Sequence, residues 1–207
     1  MTTEEERLDQ IKEWWKEYRW TIVAGTVLGI GVIGGWTGWN EYTRVQQESA
    51  SVLYQDVSVA VVQNDYEAAL TAAEQLLDEH GSSGYAGKAM LLMARASYEN
   101  GDAAQARRYL RQALDEATEE ATVHVARIRL AKLMIADREY QDALDLLDVE
   151  RQQGFDSYYL ELRGDAYHAL GMDEQAHQAY LQSMDELSPG SSYEQVLALK
   201  LNETVSE

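Results

Sequence analysis

Few side chains in this sequence stand in arrangements that do chemistry. The 207-residue chain contains no cysteine. That excludes a thiol nucleophile, a disulfide framework and a cysteine-bearing zinc site. Its four histidines, His80, His124, His168 and His177, show no H-x-x-x-H spacing, which would set two imidazoles on one helical face around a metal. Each reads more readily as a surface or helix-packing residue. No phosphate-cradling P-loop, dinucleotide fingerprint or G-x-S-x-G elbow occurs. Asp165, beside Arg163 and Gly164, is the strongest acidic candidate, and it reads equally as half of a structural helix pair. The runs Asp115-Glu116 and Glu119-Glu120 read as solvated faces, and Asn202-Glu203-Thr204 matches a glycosylation triplet near the end of the chain. The expectation is a non-enzyme with no metal and no cofactor.

Binding chemistry is easier to place. The net charge is −19, which argues against nucleic acid, since holding its backbone requires clustered Lys and Arg. Residues 40–207 hold 30 of the 36 acids and 13 of the 17 bases, so cations are scarce there. A helical projection, set by the repeat described next, puts Tyr54, Ser58, Leu91, Arg95, Tyr98, Ile128, Lys132, Ile135, Tyr158 and His168 on one concave face. Aromatics, aliphatics and two cations suit an extended peptide or a partner's helix. The competing reading is that some of them pack against neighbouring repeats.

The elements that position these residues follow from an internal repeat. The single proline and abundant Ala, Leu, Glu and Gln point to helices. Four short turns, Asn64-Asp65-Tyr66, Gly101-Asp102-Ala103, Arg138-Glu139-Tyr140 and Gly171-Met172-Asp173, are each followed at the same offset by Ala69, Ala106, Ala143 and Ala176. Seven residues before each turn stand Val57, Ala94, Ala131 and Gly164. This resembles the tetratricopeptide repeat, a helix–turn–helix with small residues where helices cross. Asn64 and Arg138 depart from the turn glycine and Val57 from the small residue. One helix pair cannot bury its apolar face alone, so pairs stack into a solenoid. After Ser188-Pro189-Gly190, the run Tyr193, Val196, Leu197 and Leu199–Leu201 predicts a helix that caps the last pair.

No charged residue occurs from Trp20 to Asn40. Twenty helical residues span about 30 Å, the thickness of a bilayer core. Trp14, Trp15, Tyr18 and Trp20 precede the run and Trp36, Trp39 and Tyr42 close it, the pattern of interfacial aromatic belts. Bulky Trp36 and Trp39 stand where a signal peptidase wants small residues, so the reading is an uncleaved anchor. Arg7, Lys12, Lys16 and Arg19 lie before it and only Arg44 shortly after, which predicts a cytoplasmic N-terminus. Gly25, Gly29, Gly31, Gly34, Gly35 and Gly38 allow another helix to approach closely; a second copy and a different membrane protein both remain open. Thr3 with Glu6 fits a capping box. Leu8, Ile11, Trp15 and Tyr18 give the lead an apolar stripe, either lying on lipid or simply extending the anchor.

The ordered parts resemble one family, the ancillary subunit of the bacterial SecYEG translocon, or YfgM-like proteins. The matching segments are Ile11-Lys12-Glu13-Trp14-Trp15, the anchor Val27–Trp36, Ala50-Ser51-Val52-Leu53-Tyr54-Gln55, Leu130-Ala131-Lys132, Gly154-Phe155 and Leu162-Arg163-Gly164-Asp165. The resemblance implies a single-pass protein of the Gram-negative inner membrane with a periplasmic repeat domain. It implies association with SecYEG and the anchored periplasmic chaperone PpiD, and a part in handing translocated proteins to folding factors. Unfolded secretory chains and membrane lipid are further implied contacts. A scaffold for another envelope complex is the alternative. The expected architecture is all-α: a cytoplasmic lead over 1–19, a signal anchor over 20–40, a repeat domain of about four helix pairs over 41–187, and a capping helix and tail over 188–207.

Overall fold

A computed structural model describes residues 4–150, 154–188 and 190–204. Among the described residues every regular element is an α-helix: α1 (Glu4–Val62), α2 (Tyr66–His80), α3 (Gly84–Glu99), α4 (Ala103–Glu116), α5 (Glu120–Ala136), α6 (Tyr140–Leu147), α7 (Asp156–Ala169), α8 (Asp173–Asp185) and α9 (Glu194–Glu203). The chain forms two compact units, Met1–Glu48 and Ser49–Glu207. Thr3 of the proposed capping box and Pro189 of the proposed break lie outside the described residues.

The first unit contains the apolar part of α1. It is long and apolar enough to cross a membrane. Leu28, Ile30, Val32 and Ile33 are all exposed, a surface that suits hydrocarbon and not water. The Thr37 hydroxyl donates to the carbonyl of Ile33 at 2.9 Å, so this polar group is satisfied within its own helix, as lipid requires. Ring pairs mark both ends, Trp14 with Tyr18 and Trp39 with Tyr42.

In the second unit the helices follow the four predicted turns. The first turn residues, Asn64, Gly101, Arg138 and Gly171, all take positive φ, between 57° and 84°. Around each the backbone makes the same two bonds. At Gly101 the amide donates to the Tyr98 carbonyl and the next amide, of Asp102, reaches back to Ser97; Asn64, Arg138 and Gly171 repeat the pattern. This is the Schellman closure, which satisfies helix-end carbonyls and reverses the chain. Asn64 and Arg138 therefore do the work of glycine, and the four turns are one structure. Asp65 and Asp102 also cap the following helix, accepting from the amides of Ala68 and Gln105.

Small residues sit where the helices cross. Ala94, Ala131, Ala69, Ala106, Ala143 and Ala176 are buried, as is Val57. A β-carbon on Gly164 would strike the Tyr180 ring. The main core runs through Val57, Leu76, Met90, Met93, Leu110 and Leu130. A second cluster joins Ile128, Leu147, Tyr159 and Leu162. Here α6 is only 8 residues long, and Val149 and Phe155 fill in beyond it. His124 lies buried in this region, its ring stacked on Phe155 and its Nδ1 2.7 Å from the Tyr159 hydroxyl. Burial, then the nearby Arg127 charge, lower its basicity. Arg107 of α4 ties successive pairs together, reaching Asp137 at 2.7 Å and Glu139 at 2.9 Å. Helix α9 covers the open end, with Leu197 against Ala176 and Tyr180.

Two substitutions test this account. Gly164→Ala should destabilise the domain by about 1–3 kcal/mol through the Tyr180 contact. Arg138→Gly should stabilise it by about 1 kcal/mol, because it relieves a left-handed residue that carries a Cβ. Denaturant unfolding of the two variants reads both, and opposite signs would contradict the packing and turn arguments respectively.

Candidate interaction groove

One open groove of about 400 Å³ lies in the second unit between α3 and α5. Its floor is apolar and exists because the crossing residues are small: Ala94 of α3 and Ala106 of α4, with Leu110 beside them. Leu133 and Ala136 of α5 complete the wall. Three cations stand around it, Arg95, Arg129 and Lys132, together with Tyr98, which is 55% exposed. Arg95 donates through Nε to Glu99 at 2.7 Å. Arg129 donates to the carbonyl of Leu91 at 3.2 Å. Partial desolvation, then the positive charge of Arg95, lower the Arg129 guanidinium from its ordinary value. Among the described residues Lys132 makes no ion pair. The groove thus combines an apolar seat with local positive charge, inside a region with more than twice as many acids as bases.

Of the residues projected onto the concave face, Arg95, Tyr98 and Lys132 come together here. The others lie elsewhere. Ile128 is buried against Leu147, Tyr159 and Leu162. Ile135 and Leu91 pack half-buried against the core, and Leu91 reaches the groove wall only through its carbonyl. Tyr54 packs at a tilt against Tyr85, 5.6 Å between ring centroids, and Ser58 is half-buried on α1. Tyr158 is 6.2 Å from Tyr193, and His168 pairs with Asp173 at 2.7 Å. For Ile128 and Ile135 the physical reason is the rotation of α5: its groove face runs through positions 129, 132, 133 and 136, one residue round from 128 and 135. Arg129 escaped the projection for the same reason. Its signal was Lys132, three residues on and hence on the same helical face.

The position after the crossing residue reverses its charge at the last repeat. Arg95 follows Ala94, but Asp165 follows Gly164. Asp165 and the buried Glu161 are held by Lys200 of α9, at 2.6 and 2.7 Å. Tyr180 donates to Asp165 and Tyr193 to Glu161. Asp165 is therefore one member of the cluster that docks the capping helix. Burial first, and then the bonded carboxylates, raise both phenols. Burial alone would depress the Lys200 amine, but its hydrogen bonds to Asp165 and Glu161 raise it overall.

The anchor residues present open faces. A methyl on Gly25, Gly29, Gly31, Gly34, Gly35 or Gly38 would meet no atom of the chain within 4 Å. Trp14, Trp15, Trp20, Trp36 and Trp39 are exposed.

The chain's likenesses agree with this architecture. A family model described as a tetratricopeptide repeat-like domain matches residues 12–206. A Haemophilus influenzae protein named ancillary SecYEG translocon subunit is 30% identical over 200 residues, covering 96% of each chain. A protein of the same name from Escherichia coli (strain K12) is 26% identical, over 96% of this chain and 95% of its own. Among solved structures, a double mutant of MamA RS-1 superposes with a TM-score of 0.55 at 16% identity, over 75% of this chain and 92% of that one. That likeness concerns the fold alone.

Removing the docking cation tests the acidic cluster. Lys200→Met leaves Glu161 and Asp165 uncompensated and should destabilise the domain by about 3 kcal/mol. The pH dependence has a definite sign. Lys200, Tyr180 and Tyr193 all have raised folded values. Their contribution is complete below the ordinary values of about 10 and is lost as pH rises above them. Circular-dichroism melting between neutral and strongly alkaline pH should show a plateau and then a fall. A melting temperature that does not fall in alkali, or an unaffected Lys200→Met, would contradict the assignment.

Proposed function

The chain belongs to the family of ancillary SecYEG translocon subunits built on a tetratricopeptide repeat-like domain, and from that premise we propose that it serves the bacterial translocation channel by binding and not by catalysis. The observation that carries this reading is the extent of the likeness. It runs through the apolar helix and the repeats together, so the relatives' name attaches to the combination and not to one shared module.

The mechanism is tethering. The apolar segment of α1 holds the chain in the inner membrane beside the channel, its glycine face free to meet a neighbouring helix. Arg7, Lys12, Lys16 and Arg19 keep the N-terminus in the cytoplasm, and the repeat domain lies in the periplasm. Confinement near the exit raises the effective concentration of the domain toward the millimolar range, so individual contacts can be weak. The groove between α3 and α5 is the contact face. It serves the handover of emerging chains to the anchored chaperone PpiD.

Photo-crosslinking in native membranes tests this reading. A crosslinker at Gly31 should capture a channel subunit, and one at Lys132 should capture PpiD or an emerging secretory chain. A C-terminal alkaline phosphatase fusion should be active. Capture of only a division or outer-membrane complex would sink the channel assignment, and an inactive fusion would reverse the topology.

A further inference from the structure

We infer that the groove between α3 and α5 is a receptor for acidic amphipathic polypeptide segments, seating an apolar side chain on the Ala94–Ala106–Leu133 floor while neighbouring carboxylates reach Arg95, Arg129 and Lys132. The inference rests on the groove being a contact face and adds the chemistry of its occupant.

Charge complementarity selects the occupant. The groove carries three cations, and among the described residues the one carboxylate bonded to any of them is Glu99 on Arg95. Three of the other bases of the domain are already matched: Lys88 with Glu119, Arg107 with Asp137 and Glu139, and Lys200 with Glu161 and Asp165. Arg129, lowered by desolvation and by Arg95, gains from an incoming anion. Guanidinium groups also favour carboxylate, which they bind with two parallel donors. The surrounding acids do not cancel this attraction. At physiological ionic strength the Debye length is about 8 Å, so a carboxylate inside the groove feels the adjacent cations more than the distant surface. The net negative surface disfavours acidic segments elsewhere on average, and the groove is where an apolar seat and three cations coincide.

The size of the groove sets the length of the contact. About 400 Å³ accommodates one or two large apolar side chains and not a whole helix. The acidic groups must therefore flank the apolar anchor within a turn or so of chain.

Fluorescence anisotropy on the full-length protein in detergent micelles tests the inference. The probes are a fluorescein-labelled peptide of two helical turns, with two leucines flanked by glutamates, and its twin with lysine at every glutamate. The acidic peptide should bind at least about tenfold tighter than the twin. Its affinity should fall about tenfold between roughly 0.01 M and roughly 0.15 M salt, as the Debye length shortens from about 30 Å to about 8 Å. Arg95→Glu with Lys132→Glu, both exposed positions, should abolish binding with little change in melting temperature. Arg129→Gln should weaken it and serves if the double variant fails to fold. Equal affinity for the two peptides, or undiminished binding in folded variants, would overturn the inference. Capture of a channel subunit from Gly31 in those variants separates failure of the groove from failure of the translocon reading.

Discussion

Every helix pair of the domain depends on a backbone turn that needs almost nothing from side chains. At 64, 101, 138 and 171 one residue enters the left-handed region, and two amides return to carbonyls of the helix just ended. The closure is made by peptide groups, so the side chain is free to vary within a cost of about 1 kcal/mol. Glycine stands twice, asparagine once and arginine once. The turn also fixes spacing. Crossing residues stand seven positions before the turn and five positions after it, and all but Val57 among these are alanine or glycine. Close crossing at Ala94 and Ala106 then leaves the hollow that becomes the groove floor. The groove is a by-product of how the pairs close.

Two cations hold repeats together, and three others face the groove. Arg107, only 13% exposed, bridges α4 to the turn after α5 through two carboxylates. Lys200 docks α9 on α7 through two more. Such pairs matter because a largely buried member, Arg107 in the first and Glu161 in the second, is costly to leave uncompensated. The exposed Lys88–Glu119 pair contributes less, under about 1 kcal/mol. Among the described residues Arg95 and Lys132 make no comparable inter-repeat ion pair, which is why their removal should spare the fold and alter binding.

The apolar segment of α1 obeys a different solvent. In lipid an internal hydrogen bond is obligatory and an apolar surface is neutral. The back-bonded Thr37, the bare aliphatic face and the aromatic pairs at its ends satisfy those conditions without any partner. The glycines are different, because nothing in the chain occupies the space beside them. Close helix approach is the one use that membrane packing has for such a face.

The sequence by itself determined the fold class, the charge-free span, the four turns and the capping helix. Each depends on local chemistry: the period of apolar residues, the spacing of alanines, or the absence of charge over a bilayer's width. It also singled out Arg95, Tyr98 and Lys132, whose neighbours are set by helical spacing. Only tertiary structure decided that Ile128 and Ile135 turn inward while Arg129 turns out, since the rotation of α5 depends on side chains from α4, α6 and α7 together. It likewise placed His124 in the core beside Phe155 and Tyr159, and joined Lys200 to Glu161 across 39 residues. A helix projection carries an error of about one residue. One residue is 100° of rotation, enough to exchange a core side chain for a groove side chain.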